Sequence, residues 1–290
     1  MSGLAIINQN VVNAVFLMAH AANQRGRLKL DVPEDGLIAT RKIFSSIIDG
    51  ESTIYAWQGR VYSHIPEEPD RHLFNIEGMN IRTTKTHKSE QKGVGFRMFS
   101  KEVMLFLDPV SNAILRQWEN PWTGECVPVF HVANDPANSR PILPRQQGFE
   151  GRVCNGRILL SYQIPLFYDN PMADMEGFEK LKHYHALEMF DFFLSEQDLT
   201  DQASPRVSDI CIAWNRISQW EPWMKMGNQG GELIFDAAGM RLATWSDLST
   251  TLRDEIEQNY PNFQTPPPLD DQRPNQTSWS NYKAWLESSQ

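Results

Sequence analysis

Four side chains could donate a hydrogen bond or a proton to a reacting oxygen: His131, Arg97, Tyr162 and Asn134. His131 lies in an apolar, strand-like stretch, where an inward imidazole would shuttle a proton. A core histidine bonded to a backbone carbonyl is an equal reading of the same position. Arg97 lies within Gly95-Phe96-Arg97-Met98-Phe99, and Arg82 falls on the neighbouring strand candidate. An inward guanidinium must be paired, and Glu77 and Glu102 are the partners at hand. So placed, it would polarise a carbonyl or phenolate oxygen; the alternative is a cation on a solvent-facing side. Asn134 opens Asn134-Asp135-Pro136-Ala137-Asn138, which also reads as an Asx-type turn.

Walls for a flat or apolar ligand are supplied by Trp57, Trp118, Trp122, Trp214, Trp223 and Met226. Between Trp214 and Gly227, Trp and Met residues crowd into an adaptable surface, with Lys225 a candidate desolvated amine. A wide loop sealing the end of a barrel has the same composition. One cluster has metal-like residue types: His183, His185 and Glu188. On a helix His185 and Glu188 would share a face while the two histidines diverge, so the ligand set is incomplete and no metal is expected. No P-loop, HExxH, GxSxG or kinase signature occurs, and no cofactor is expected. Gly93-Val94-Gly95 begins like a dinucleotide fingerprint, but Met98 stands where the third glycine belongs.

The elements that must hold these residues are mostly strands. Residues 33–48 read as a helix, with Pro33, Glu34 and Asp35 in its first turn. From residue 53 to 168 the hydrophobic period is two. Strand candidates are residues 73–87, 93–108, 113–120, 126–132 and 156–168. Residues 53–65 read as strand–turn–strand about Gln58-Gly59, and 231–242 as a hairpin about Ala238-Gly239. Residues 174–196 return to helical period, 206–217 to strand, and 246–259 to a helix capped by Ser246 or Asp247. A Pro-rich strap and a short C-terminal helix with Trp279, Tyr282 and Trp285 close the chain. The expected fold is β-rich (α+β): an antiparallel β-barrel or closed meander with flanking helices. It is one domain over residues 1–290, with N-terminal helices at 1–50, a barrel core at 53–242 and C-terminal helices and strap at 246–290.

A net charge of −9 and the absence of basic runs argue against nucleic acid and anionic membrane as partners. Residues 4–22 are apolar but broken by Asn8, Gln9, Asn10 and Asn13, and no basic residue precedes Arg25. That fits an amphipathic helix rather than a signal peptide or a membrane span. Three scattered cysteines, Cys126, Cys154 and Cys211, fit a reducing, cytoplasmic compartment. The expected partner is an apolar or aromatic small molecule, and a homodimer remains open.

The blocks LFNIEGMNIRT, FRMFSKEVMLFLDP, WENPWTGE, HVANDPAN and WEPWMKMG occur in this order. They resemble the family called domain of unknown function 1838, from about Leu37 to Leu242. The chain is also similar to cofactor-free proteins of fungal secondary metabolism, among them hetero-Diels–Alder cyclases that join a tropolone-derived quinone methide to a humulene-type terpene. That resemblance implies an aromatic-lined barrel cavity and carries no residue roles. The reading reached is a cofactor-independent enzyme performing a cycloaddition, or a dehydration feeding one. Its alternatives are a lipocalin-like binding protein and a metal-dependent lyase or isomerase.

Overall fold

The computed structural model describes residues 26–90, 93–175, 177–178, 181–227 and 229–288. Its strands are β1 (Thr53–His64), β2 (Arg71–Ser89), β3 (Gly93–Leu107), β4 (Gln117–Glu119), β5 (Cys126–Pro128), β6 (Val132–Asn134), β7 (Arg152–Cys154), β8 (Arg157–Asp169), β9 (His183–Ser195), β10 (Ile210–Ser218) and β11 (Glu232–Leu242). Nine of them form one antiparallel sheet in the order β6-β3-β2-β1-β11-β10-β9-β8-β7, and β4 and β5 form a separate ribbon. Its helices are α1 (Pro33–Phe44), α2 (Glu196–Thr200), α3 (Thr250–Asn259) and α4 (Ser278–Ser288).

The sheet does not close into a barrel, which corrects the expectation of closure. β6 lies at one edge and β7 at the other, with no pairing between them. The sheet nevertheless curls. Phe74 of β2 and Phe106 of β3 belong to one buried cluster with Tyr184 and Ala186 of β9, although five strand spacings would hold β3 and β9 about 24 Å apart in a flat sheet. Alternation along the strands then divides the residues between a concave inner face and a convex outer face.

Aromatic packing fills both ends of the curl. At one end Phe44 and Ile43 of α1 pack with Tyr55, Phe96, Leu160 and Phe192. Pro33 opens α1, with Glu34 and Asp35 in its first turn and Arg41 and Lys42 in its last, which suits the helix dipole. The helix ends at Phe44, short of the expected residue 48. At the other end Trp220, Trp223, Met224 and Met226 pack with Phe74, Phe106 and, from α4, Trp279 and Tyr282. The outer face of β1–β3 lies under α3, where Leu252 and Ile256 meet Met79, Ile81, Val103 and Leu105. The Ser249 hydroxyl caps α3 by accepting from the Leu252 N–H.

Three local expectations are corrected. Residues 183–195 are strand β9, and the helix expected over 174–196 is not found among the described residues, where only Glu196 is helical, as the first residue of α2. Gln58-Gly59 and Ala238-Gly239 lie inside continuous strands, with Gly239 opposite Trp57 and Gly59 opposite Ala237. The glycines mark close approach, not turns. A Cβ on Gly239 would sit 2.1 Å from the Ala56 carbonyl oxygen, and one on Gly78 would sit 2.4 Å from the Trp57 ring. The expected helix within residues 4–22 lies outside the described residues.

The Trp57 indole therefore rests on bare backbone at Gly78. Gly78→Val should destabilise the fold by about 1–3 kcal/mol through overpacking. It should also shift Trp fluorescence as the ring is displaced. Unchanged urea midpoint and emission would show that the ring does not rest there.

Candidate functional site

The register of β9 on β10 places Glu188 opposite Arg216, both on the inner face. Arg216 Nη1 lies 3.8 Å from Glu188 Oε1, and Nη2 lies 3.8 Å from Glu221 Oε1. Nη2 also donates to the Tyr184 hydroxyl. Glu221 is 1% exposed at its side chain and Glu188 20%. Burial pushes Glu188 up to about 7; Arg216 opposes the rise and Glu102 adds to it. Glu221 is raised by burial against the pull of Arg216. Burial alone would lower Arg216, but Tyr184, Glu221 and Glu188 outweigh it and hold the guanidinium charged. One guanidinium thus serves two carboxyls, and the second is the natural place for a transferable proton.

The facing wall comes from β2, β3 and β6. Arg82 Nε donates to Asn80 Oδ1 at 2.7 Å, and its guanidinium lies 4.8 Å from the Tyr55 ring centroid. Arg241 lies 5.0 Å from the same ring. No carboxylate among the described residues lies within 4.0 Å of Arg82. Burial lowers Arg82 to about 10, opposed by Tyr55 and Glu102 and assisted by Arg241. It is therefore an inward cation that remains charged at neutral pH, with Glu102 acting on it from beyond ion-pair distance. Asn134 Nδ2 donates to Glu102 Oε1 at 2.6 Å, and Asn281 Nδ2 donates to Asn134 Oδ1 at 2.8 Å. That chain fixes the Asn134 amide.

Between these walls stand the aromatic rings. Trp57 and Trp214 have centroids 5.9 Å apart, and Phe190 lies 6.4 Å from Trp214. The indole N–H groups of Trp57 and Trp214 are buried without a protein acceptor. An unpaired buried donor costs about 1–3 kcal/mol, which a ligand oxygen would recover. The residues Trp57, Arg82, Glu102, Glu188 and Phe190 are half-buried rather than sealed. Beyond Leu159 the edge of β8 has no strand partner among the described residues, which leaves that side of the aromatic groove without a paired strand.

Of the residues picked out in the sequence, Arg82, Trp57, Trp214 and Asn134 come together here. Tyr162 shares the inner face of β8, but its ring packs on Phe44 at 5.4 Å and lines a separate cleft of about 60 Å³ against α1. His131 is placed elsewhere. Its Nδ1 accepts the Phe106 N–H at 3.1 Å, capping the β3 edge beside β6. Burial, with Arg116 adding and Glu255 opposing, lowers it to about 4, so it is a neutral core imidazole. Arg97 is on the outer face, where Nε donates to the Ser139 carbonyl and Nη1 to the Asp271 carbonyl, tying the Pro-rich strap to β3.

Trp118, Trp223 and Met226 belong to the aromatic end plug, with Trp118 and Trp223 edge to face at 5.9 Å. Trp122 packs on Trp220 and donates to Glu68. Lys225 is exposed and paired with Glu125. His183 and His185 face outward, beside Asp169 and Glu232, while Glu188 faces inward. The described residues contain no group of three or more His, Cys, Asp or Glu side chains arranged to hold a metal ion. Glu188, Arg216 and Glu221 are the site residues that the sequence reading did not bring together. The available signal was parity: on a strand, residues 183 and 185 oppose residue 188.

No helix among the described residues is long and apolar enough to cross a membrane. No curated protein matches the chain. Among solved structures it is similar to Ail, the attachment invasion locus protein of Yersinia pestis, at 8% identity over 67% of this chain and 100% of that one. The TM-score is 0.18, too low to carry an argument. The family described as Protein of unknown function (DUF1838) matches residues 50–286, and the chain belongs to that family.

Proposed function

We propose that the chain is a cofactor-independent enzyme acting on an apolar, ring-bearing metabolite through Glu188 and Arg82. One arrangement supports this reading: Arg82, with no carboxylate in ion-pair contact, lies on the same aromatic inner face as Trp57, Trp214 and the carboxyl of Glu188, which burial raises to about 7. Arg82 holds a phenolate or tropolonate oxygen. Glu188 gives its proton to a hydroxyl on the carbon attached to that ring, in conjugation with the oxyanion. The C–O bond breaks, water departs, and the oxyanion collapses to the carbonyl of a quinone methide. Trp57, Trp214 and Phe190 hold that electrophile against an alkene for cycloaddition, in which positioning supplies the rate. Similarity to fungal hetero-Diels–Alder cyclases, and with it a place in secondary metabolism, belongs to this proposal. Three free, exposed cysteines support a cytoplasmic setting.

The test is product formation from a tropolone quinone-methide precursor and humulenol, with chelator present, against a protein-free control. A faster, stereochemically biased adduct is expected. Arg82→Met should lower the rate about 10²–10³-fold while the fold stays intact. A rate equal to the control would sink the catalytic reading. Binding without turnover is the second reading, favoured by the unpartnered indole donors. Saturable quenching of Trp fluorescence by the adduct, with no rate effect, would establish it.

A further inference from the structure

The outer face of β2 and β3 carries cations at its hairpin end. The register sets Lys85 opposite Arg97 and His87 opposite Gly95, on the side away from the aromatic groove. α3 covers this face further along, at Met79, Ile81, Val103 and Leu105. Beyond the covered part, a cleft of about 520 Å³ opens between the strands, residues 138–141 and the Pro-rich strap. Its wall includes His87, Arg97, Arg140, Gln272 and Arg273, and Pro141 is the one apolar side chain among the described residues that line it. Three arginines thus meet in one cleft of a chain whose net charge is −9.

The acids nearby are already paired. Arg273 Nη2 lies 2.6 Å from Asp135 Oδ1 and 2.9 Å from Asp271 Oδ2. Lys101 Nζ lies 3.3 Å from Asp135 Oδ2. These cations balance these carboxylates, and among the described residues no carboxylate lies within 4.0 Å of Arg97 or Arg140. Arg97 is also held in place. Its Nε donates to the Ser139 carbonyl at 3.1 Å, its Nη1 to the Asp271 carbonyl at 3.2 Å, and its guanidinium lies 4.8 Å from the Phe99 ring centroid. Nη2 is left for an outside acceptor. The walls are tied to each other as well. The Asn138 N–H donates to Asn275 Oδ1, and Asn275 Nδ2 donates back to the Asn138 carbonyl, each at 2.8 Å. A cleft fixed in this way loses little freedom when a ligand enters.

We propose that this cleft is a phosphate site, with Arg97 and Arg140 holding the phosphate oxygens. A carboxylate offers one planar edge, which a single guanidinium satisfies. Separate guanidiniums beside an imidazole and an amide suit the three acceptor oxygens and the larger charge of a phosphate group. The volume is that of a small-molecule cleft rather than of a bare ion. Its polar lining fits a phosphate carried on a hydroxylated molecule, such as a sugar phosphate. The site lies across the sheet from Glu188 and Arg82, so it is independent of the proposed reaction.

The test is calorimetric titration of the full-length chain with ribose 5-phosphate, inorganic phosphate and ribose, at constant ionic strength and neutral pH. Ribose 5-phosphate should bind saturably and more tightly than inorganic phosphate, and ribose should not bind. Arg140 is exposed and unpaired among the described residues, so Arg140→Gln keeps the fold. It should weaken ribose 5-phosphate binding at least about tenfold, the worth of one charge-assisted hydrogen bond. Arg60→Gln removes an exposed cation on β1, outside the cleft, and should change nothing. Equal affinity for the two phosphates would support the site and make the free ion its occupant. Lack of saturable binding by either phosphate overturns the proposal. So does binding that Arg140→Gln leaves untouched, or that both substitutions weaken equally, which would reflect general surface charge.

Discussion

Glu188→Gln should lower the proposed turnover of the tropolone precursor by about 10²–10⁴-fold, the range for loss of a positioned proton donor. In the unsubstituted protein the proposed activity should fall as pH rises through about 7, because burial favours the acid form of Glu188 up to that point. The variant should lose this inflection. Its groove keeps its shape, since Gln replaces Glu nearly isosterically opposite Arg216. The ionisation can be read without any substrate, as the carboxyl carbon shift of Glu188 in a pH titration. The sign also fixes a stability effect. A carboxyl raised from 4.5 to about 7 binds its proton in the folded state over that interval and loses it in the unfolded state. Its contribution to stability is therefore largest at low pH and declines as pH rises from about 4.5 to about 7. An inflection that persists in Glu188→Gln would move the proton donor elsewhere.

Why the sequence hid this residue is a matter of face and period. Residues 183–195 are apolar on both sides: Phe190 and Phe192 point inward, Leu187, Met189 and Phe193 outward. Alternation is lost in such a strand, and its near-continuous apolar run mimics a wide helical face. Read as helix, Glu188 joins His185; built as strand, it joins Arg216. The glycines misled similarly. Gly59 and Gly239 look like turn residues, yet they make room between β1 and β11, a long-range requirement that no local window contains. What was legible rested on local chemistry. The start of α1 at Pro33 and the end of α3 at Asn259 before Pro261 match the sequence reading, whereas α1 stops four residues early and the cap of α3 is Ser249 rather than Ser246 or Asp247. Strands β2, β3 and β8 kept their period because one side meets solvent or a covering helix. Arg82 was legible as a buried-cation problem, but its solution is Asn80 and the Tyr55 ring rather than a carboxylate. The sheet's failure to close leaves no sequence signal, because it depends on which edges meet.

Arg216→Met should be the most damaging substitution in the interior. The guanidinium faces Glu188, Glu221 and Tyr184 and lies 5.4 Å from the Phe235 ring centroid. Met keeps the apolar stem and removes the charge, leaving two carboxyls in the groove with no cation of their own. Breaking a buried pair in this way costs about 3–5 kcal/mol, measurable by urea unfolding at pH 7. The loss should shrink towards pH 5, because both carboxyls can then be carried as neutral acids. Arg216→Met with Glu221→Gln should recover part of it, a coupling of about 0.5–3 kcal/mol, since the carboxyl with 1% exposure has most to gain from neutralisation. A loss below about 1 kcal/mol is what an exposed pair would give. That result would mean water solvates the groove too well for burial to hold Glu188 near 7, and the proton-donor reading would fall with it.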